Sequence, residues 1–306
     1  MKLRHMMFTF TINLQALLSL STLTTSTLIT TSGNITLPET PTPILGNLYN
    51  HWIVLPNKTY DLTRSLYLPT TTPVTIPMFG TRKAAIIEPS RSALIIIDMQ
   101  NYFLHPKLSP RATGGRAAVQ PTLNMIAGFR KKGMKVLWTN WGLDGYDLLT
   151  IPPSFLAGFS GGTDSPLTTF GSDMGIVDGA EAGGKLMRGA WNARPYGPLY
   201  DAQVKGVEDG TDLYFNKNRL SGLWGAQTPL GMWLMGNQIT TLFFGGVNAD
   251  QCVWGTFLDA YYKGYDVVYV DDIAATTSPE YATQMVKYNA NLDGFLSNSS
   301  LILSAL

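Results

Sequence analysis

Four short apolar runs stand out after residue 92: Ala93–Ile97, Lys135–Thr139, Thr240–Gly246 and Asp266–Val270. They show little alternation of apolar and polar residues. Unbroken runs of this length are typical of parallel strands that are buried on both faces. The pattern therefore predicts a buried, mostly parallel sheet.

Stretches with helical character separate these runs. They cover about residues 117–132, ended by Gly133, then 251–263, stopped by Gly264, and about 279–289. A last short strand is predicted at Leu301–Leu303. Strand and helix alternate along the chain, and that order predicts an α/β fold with a doubly wound, Rossmann-like parallel sheet flanked by helices.

Two regions depart from the alternation. Residues 24–50 are rich in Thr, Ser and Pro, and 51–92 mix short β-like runs, such as Trp52–Leu55 and Ser65–Leu68, with prolines. Residues 142–212 are rich in Gly, Pro and aromatics, which suggests a lid-like or binding insertion. We therefore divide the chain into a possible signal peptide (1–30), an N-terminal arm or extension (31–92) and a main domain (93–306).

The first thirty residues resemble a secretory leader. Lys2 and Arg4 precede a moderately apolar run, Met6–Leu23, that is too interrupted to predict a membrane span. N-x-S/T sequons begin at Asn34, Asn57 and Asn298. These features predict a secreted glycoprotein, with a cytoplasmic protein as the alternative.

The composition limits the classes of partner and of site that this chain can have. The 306 residues carry a formal net charge of +1 with no basic block, which argues against nucleic acid and favours a small-molecule partner. A homo-oligomer stays possible. The single cysteine, Cys252, excludes an intrachain disulfide and a multi-cysteine zinc site. The only histidines are His5, His51 and His105, so a nucleophile paired with an imidazole would have to recruit one of them.

The candidate chemistry lies where the predicted strands end. Asp98 follows the first strand, Asn140 and Trp141 the second, and Val247–Cys252 the third. Ligands of open parallel sheets bind beyond the carboxyl ends of the strands. Cys252 also falls near the start of a helix, where the dipole and free N–H groups favour a thiolate. The alternatives are a buried, inert cysteine and an acidic residue that only caps a turn.

Three segments carry a family resemblance. Residues Ile97–Phe103 resemble the D-x-Q-x-x-F motif of isochorismatase-like cysteine hydrolases. Gly246–Val253 is similar to their G-V-x-x-x-x-C-V nucleophile turn, and Lys217–Trp224 to their K-x-x-x-S-x-x-[FW] stretch. The resemblance covers roughly residues 90–306.

The resemblance implies a catalytic triad of Asp98, Lys217 and Cys252. It also implies a cis peptide at Val247–Asn248 and an oxyanion hole formed by the N–H groups of Asn248 and Cys252. In that mechanism Lys217 lowers the pKa of the thiol and Asp98 shuttles protons. We expect aromatic side chains to wall the pocket, namely Phe103, Trp141 and Trp224, with Trp191 and Tyr196 able to close over the substrate.

Departures from the family narrow the chemistry. Nicotinamidases of this family carry a D-x-H metal motif where this chain has Asn140-Trp141-Gly142, so we expect neither a metal nor another cofactor. Typical isochorismatases lack the cysteine, and its presence here favours covalent cleavage of a C–N bond in a small amide, ureido or imide substrate. The alternatives are a vinyl-ether hydrolase and a non-catalytic binding or effector protein.

Overall fold

A computed structural model describes residues 43–306. Its strands are β1 Ile44–Gly46, β2 His51–Leu55, β3 Thr59–Asp61, β4 Val74–Pro77, β5 Ala84–Ile87, β6 Ser92–Ile97, β7 Lys135–Trp141, β8 Ile176–Val177, β9 Ala180–Glu181, β10 Asp212–Lys217, β11 Thr241–Val247, β12 Asp266–Ala275 and β13 Phe295–Ser297. Its α-helices are α1 Asn101–Leu104, α2 Thr113–Ala117, α3 Val119–Lys131, α4 Gly145–Thr150, α5 Pro153–Gly158, α6 Pro198–Glu208, α7 Pro229–Gly236, α8 Trp254–Tyr262, α9 Glu280–Asp293 and α10 Ser299–Ala305.

The central sheet has six parallel strands in the order β10-β7-β6-β11-β12-β13. This confirms the predicted α/β fold and the four predicted apolar strands. Strand β10 was not predicted. It lies at the edge of the sheet, and Leu213–Asn216 are only half-buried.

Both faces of this sheet are covered, which explains the unbroken apolar runs. In β6, Ala93, Ile95 and Ile97 face the cluster that includes residues of α7, α8 and α9. The intervening Leu94 and Ile96 face the opposite cluster, which includes residues of α3, α6 and α10. All of these β6 side chains are fully buried. A strand between two helical layers needs apolar residues at every position.

Two short predictions were wrong. Leu301–Leu303 lies in α10, because the Asn298 side chain accepts a hydrogen bond from the N–H of Leu301 (2.9 Å) and caps that helix. The final strand is instead β13, immediately before the cap. Ser65–Leu68 forms a turn, in which the N–H groups of Tyr67 and Leu68 both donate to the carbonyl of Arg64 at 2.8 Å.

The extension preceding residue 92 forms a second sheet, ordered β1-β2-β3-β5-β4. A buried ion pair ties it to the central sheet: Arg64 Nη1 lies 2.8 Å from Asp266 Oδ2 at the start of β12. Asp266 also accepts from Trp52 Nε1 (2.6 Å) and Thr241 Oγ1 (3.1 Å). Burial raises the pKa of Asp266, and these donors oppose the rise. The extension is therefore part of the domain's core.

The insertion is shorter than the predicted 142–212. Helix α6 starts at Pro198, a residue that suits the first turn of a helix. The helix contributes the buried Leu199 to the core. Residue 212 already belongs to β10. Residues 142–197 hold the inserted elements α4, α5 and the β8–β9 hairpin. Short helices and many glycines concealed this organisation in the sequence.

The export prediction depends mainly on residues outside the described range. The leader over 1–30 and the sequon at Asn34 fall there, so both stay predictions. Asn57 is exposed, while Asn298 is half-buried and caps α10. Within residues 43–306, every helix is too short or too polar to span a bilayer.

Candidate active site

Asp98 is the acidic centre of the site. It directly follows β6, is fully buried, and has a left-handed backbone with φ of 51°. Its N–H donates to Asn140 Oδ1 at 3.0 Å, and its Oδ1 accepts from the N–H of Trp141 at 2.9 Å. The end of the neighbouring strand β7 thus holds both the backbone and the carboxylate of Asp98 in one orientation.

Lys217 reaches the same carboxylate from the end of β10. Its Nζ lies 2.8 Å from Asp98 Oδ2, and both side chains are almost completely buried. The ammonium also donates to the carbonyl of Arg219 at 3.0 Å and sits 4.0 Å from the centroid of the Trp141 ring. Strand β7 lies between β10 and β6. Lys217 therefore crosses one strand to complete the pair.

Cys252 lies in a turn of π-helix, Ala249–Val253, that leads from β11 into α8. Its side chain is buried, and the Asp98 carboxylate raises the pKa of the thiol through its charge and a side-chain hydrogen bond. The hydroxyl of Thr256 donates to the Cys252 carbonyl (2.7 Å) and accepts from the N–H of Gly222 (3.1 Å). Through these two hydrogen bonds, the Thr256 hydroxyl connects the turn that contains Cys252 to the loop that follows Lys217. The structure thus brings together the three residues of the predicted triad.

The protonation state of the thiol differs from the sequence-based expectation. Burial raises the pKa of Cys252 to about 12, and the neighbouring Asp98 charge adds to the rise. Lys217 lowers that pKa, as expected, but does not outweigh burial. Burial also raises the pKa of Asp98, and Lys217 opposes this. This raised pKa favours the protonated thiol at neutral pH, so forming a thiolate would need a base beside it.

The peptide Val247–Asn248 is cis, as the resemblance implied. The Asn248 carbonyl accepts from the N–H groups of Gln251 (3.1 Å) and Val253 (3.2 Å), which shapes the turn around Cys252. Within residues 43–306 the N–H of Asn248 has no protein acceptor. It is thus a free backbone donor near the thiol, as an oxyanion hole needs.

The predicted pocket aromatics occupy different places. Trp141 is fully buried beside Lys217, under Phe159 and Phe170 of the insertion, with ring centroids 5.2 and 5.0 Å away. Phe103 is half-buried and packs edge-on against Tyr102. Trp224 is 53% exposed, and its Nε1 donates to Asn218 Oδ1.

Two cavities adjoin these aromatics. A cavity of about 110 Å³ is lined by Lys217, Trp224 and Thr139, among others. Trp191 and Tyr196 instead line an open cleft of about 410 Å³ with His105, and no triad residue lines that cleft. His105 Nε2 lies 3.5 Å from Asp178, away from the thiol. Of the five predicted aromatics, Trp141 contacts Lys217 and Trp224 lines the same cavity as Lys217.

The residues at the end of β7 do not suit a catalytic metal. Asn140 uses its side-chain oxygen to hold the N–H of Asp98. A side chain at Gly142 would collide with Asn216, whose Oδ1 would lie 1.9 Å from the new Cβ. The described part of the chain contains no cluster of three His, Cys, Asp or Glu residues.

Two supporting residues were not recognised from the sequence. Gln100 donates to the carbonyls of Trp141 (2.8 Å) and Ala193 (2.6 Å), so it fastens the insertion to the strand ends. Trp141 contacts the triad more closely than a pocket wall would. Gln100 could have been found from its place in the D-x-Q motif, whereas only coordinates reveal the position of the Trp141 indole.

Solved structures share this fold at low sequence identity. A cysteine hydrolase from Pseudomonas syringae pv. phaseolicola is 16% identical over 77% of this chain and 97% of its own, with a TM-score of 0.54. An isochorismatase family protein from Desulfovibrio vulgaris is 24% identical (69% and 95% covered, TM-score 0.52). A nicotinamidase from Bacillus subtilis is 21% identical (68% and 99% covered, TM-score 0.52).

At these identities the likeness concerns the fold alone. The family follows from a sequence model of the isochorismatase domain, which matches residues 92–294. That match spans five of the six strands of the central sheet and ends one residue before β13, and it includes Asp98, Lys217 and Cys252. The chain therefore belongs to the isochorismatase domain family of hydrolases.

Proposed function

We propose that this protein is a cysteine amidohydrolase that cleaves a C–N bond of a small amide, ureido or imide substrate through a thioester. One observation carries the proposal. A buried ammonium lies 2.8 Å from the Asp98 carboxylate, and that carboxylate raises the pKa of the buried Cys252 thiol beside it. A base beside a protonated nucleophile is the arrangement that covalent acyl transfer needs.

The first half-reaction forms the thioester. Asp98 accepts the thiol proton while Cys252 Sγ bonds to the carbonyl carbon, and the C=O electron pair moves to oxygen. The N–H groups of Asn248 and Cys252 stabilise that oxyanion. The pair then re-forms C=O, the C–N bond breaks, and Asp98 passes its proton to the leaving nitrogen. Ammonia or an amine departs.

The second half-reaction releases the acid. Asp98 removes a proton from a water molecule whose oxygen attacks the thioester carbon. The C–S bond breaks as the oxyanion collapses, and the Cys252 thiolate recovers the proton from Asp98. The Lys217 ammonium lowers the pKa of Asp98 and so favours the carboxylate form when Asp98 is not carrying the proton. Phe103, Trp141 and Trp224 are the aromatic side chains that we propose around the substrate.

A substrate screen tests this proposal. Small primary amides, ureas, N-carbamoyl compounds and cyclic imides are incubated with the purified full chain, and ammonia or acid release is measured. Cys252→Ala serves as the control, because it removes only the Sγ atom. We expect turnover of at least one of these classes by the wild type and none by the variant.

The same screen distinguishes the alternatives. Pyruvate release from isochorismate that persists in Cys252→Ala would indicate a vinyl-ether hydrolase and contradict covalent catalysis. Binding of a screened compound, seen as a thermal shift without turnover, would indicate a non-catalytic effector on the same fold. Either result overturns the amidohydrolase proposal.

A further inference from the structure

We propose that Trp141 is a fourth, positioning member of the catalytic group, which seats Lys217 on its ring and donates its indole N–H to the Cys252 thiolate. This inference rests on the proposed function, since it assigns a role within the same site. The triad motifs do not contain this residue. It follows from the contacts that Trp141 makes.

Trp141 touches every member of the triad. Its backbone N–H donates to Asp98 Oδ1 at 2.9 Å. Its ring centroid lies 4.0 Å from Lys217 Nζ, well within the range of a cation–π contact. Its indole lies in the same buried cluster as Cys252, and it lowers the pKa of that thiol. A tryptophan that only filled space would not meet all three groups.

Within residues 43–306, the indole N–H of Trp141 lacks a hydrogen-bond acceptor. Nε1 is completely buried and has no nitrogen or oxygen acceptor in the described structure. Most buried polar groups are paired, because a buried donor without an acceptor is destabilising. When Cys252 is a thiolate, the same buried cluster contains an anionic acceptor with which this N–H can pair. The same N–H lowers the pKa of Cys252, in opposition to burial.

The surroundings hold the indole in place. Phe159 and Phe170 stack on each other at 4.2 Å between centroids, and both pack against the Trp141 ring. The Gln100 side chain accepts a hydrogen bond from the backbone N–H of Trp141 (3.2 Å) and donates one to the backbone carbonyl of Trp141 (2.8 Å). A donor that is fixed before the reaction stabilises charge without reorganisation.

The test replaces Trp141 by β-(3-benzothienyl)alanine, an isostere that keeps the ring but has sulfur in place of N–H. Because Cys252 is the only cysteine, thiolate absorbance at 240 nm and iodoacetamide labelling both report on this one thiol, with Cys252→Ala as the blank. Trp224→Phe is the matched control, because its indole N–H donates to Asn218 and not to the thiol. Trp141→Phe provides a second variant.

We expect the isostere to lower the labelling rate at pH 9 about tenfold, the change that one pKa unit produces. Thiolate absorbance should also appear at higher pH than in the wild type, while the urea midpoint changes little. Trp224→Phe should superimpose on the wild type. Coinciding titrations of the isostere and wild type would overturn the inference. These readouts need no substrate, so failure to find an amidase activity would leave this test intact.

Discussion

Replacing Lys217 by methionine leaves Asp98 without its cation in the interior. The two charges are 2.8 Å apart and nearly inaccessible to water. At an effective dielectric constant of about 20, their attraction is about 6 kcal/mol. Removing one partner of such a pair typically costs about 3–5 kcal/mol, because the remaining charge stays buried. We expect Lys217→Met to lower the free energy of unfolding by about 3–5 kcal/mol at pH 7.5.

The loss should depend on pH. Burial raises the pKa of Asp98 in the wild type, and Lys217 opposes that rise, so the variant has the higher folded-state pKa. A carboxyl whose folded pKa exceeds its unfolded value binds its proton more tightly when folded, and the folded state loses stability as pH rises through that pKa. The difference between variant and wild type should therefore be largest at alkaline pH and shrink towards acid. Urea denaturation between pH 5 and pH 8.5 measures it.

Two controls isolate the pair. Asp98→Asn combined with Lys217→Met removes both charges and should recover about 2 kcal/mol or more of the loss, while activity stays abolished. Lys205→Met breaks an exposed pair with Asp209 and should cost less than about 1 kcal/mol at any pH. If Lys217→Met behaves like Lys205→Met, with a small and pH-independent change, the buried pair does not have the strength argued here.

Three further results are expected. A thiol with a pKa of about 12 instead of the ordinary 9.0 has about a thousandfold less thiolate at pH 7.5. Iodoacetamide should therefore label Cys252 far more slowly in the native protein than in the urea-unfolded chain. Equal labelling rates would refute the raised pKa. EDTA should leave activity unchanged, and a loss that zinc or manganese restores would show that a metal takes part. Gly246→Ala should destabilise by about 2–4 kcal/mol, because φ is +122° and the new Cβ would lie 1.9 Å from the Ile97 carbonyl oxygen. Gly236→Ala, with nothing within 4 Å, is its control, and equal melting temperatures for the two variants would contradict the prediction.

The sequence predicted the parts of the fold where both faces of a strand are buried. β6 and β11 have apolar residues throughout, and this pattern needs no knowledge of the neighbours. Strand β10 escaped prediction because an edge strand is partly solvated and retains polar residues such as Asn216. The extension was predicted to pack on the main domain, but its strand order was not predicted, and neither was the Arg64–Asp266 pair, whose members lie about two hundred positions apart in sequence.

The candidate triad was predicted from motifs, but its electrostatics were not. Charge alone suggested that Lys217 would give a reactive thiolate. Desolvation of Cys252 decides the balance instead, and desolvation depends on the whole packed domain. The role of Trp141 was equally hidden, because its position between Lys217 and Cys252 depends on the order of β10, β7 and β6 in the sheet.

The central claim is that Cys252 forms a covalent acyl-enzyme. The most direct measurement is turnover of the amide found in the screen by wild type and Cys252→Ala, with intact-protein mass recorded on samples quenched by acid during turnover. We predict at least a thousandfold loss of turnover in Cys252→Ala, a folded variant, and an added acyl mass on the wild type only. Turnover by Cys252→Ala above about a tenth of the wild-type rate would contradict the account, because loss of a nucleophile costs several orders of magnitude.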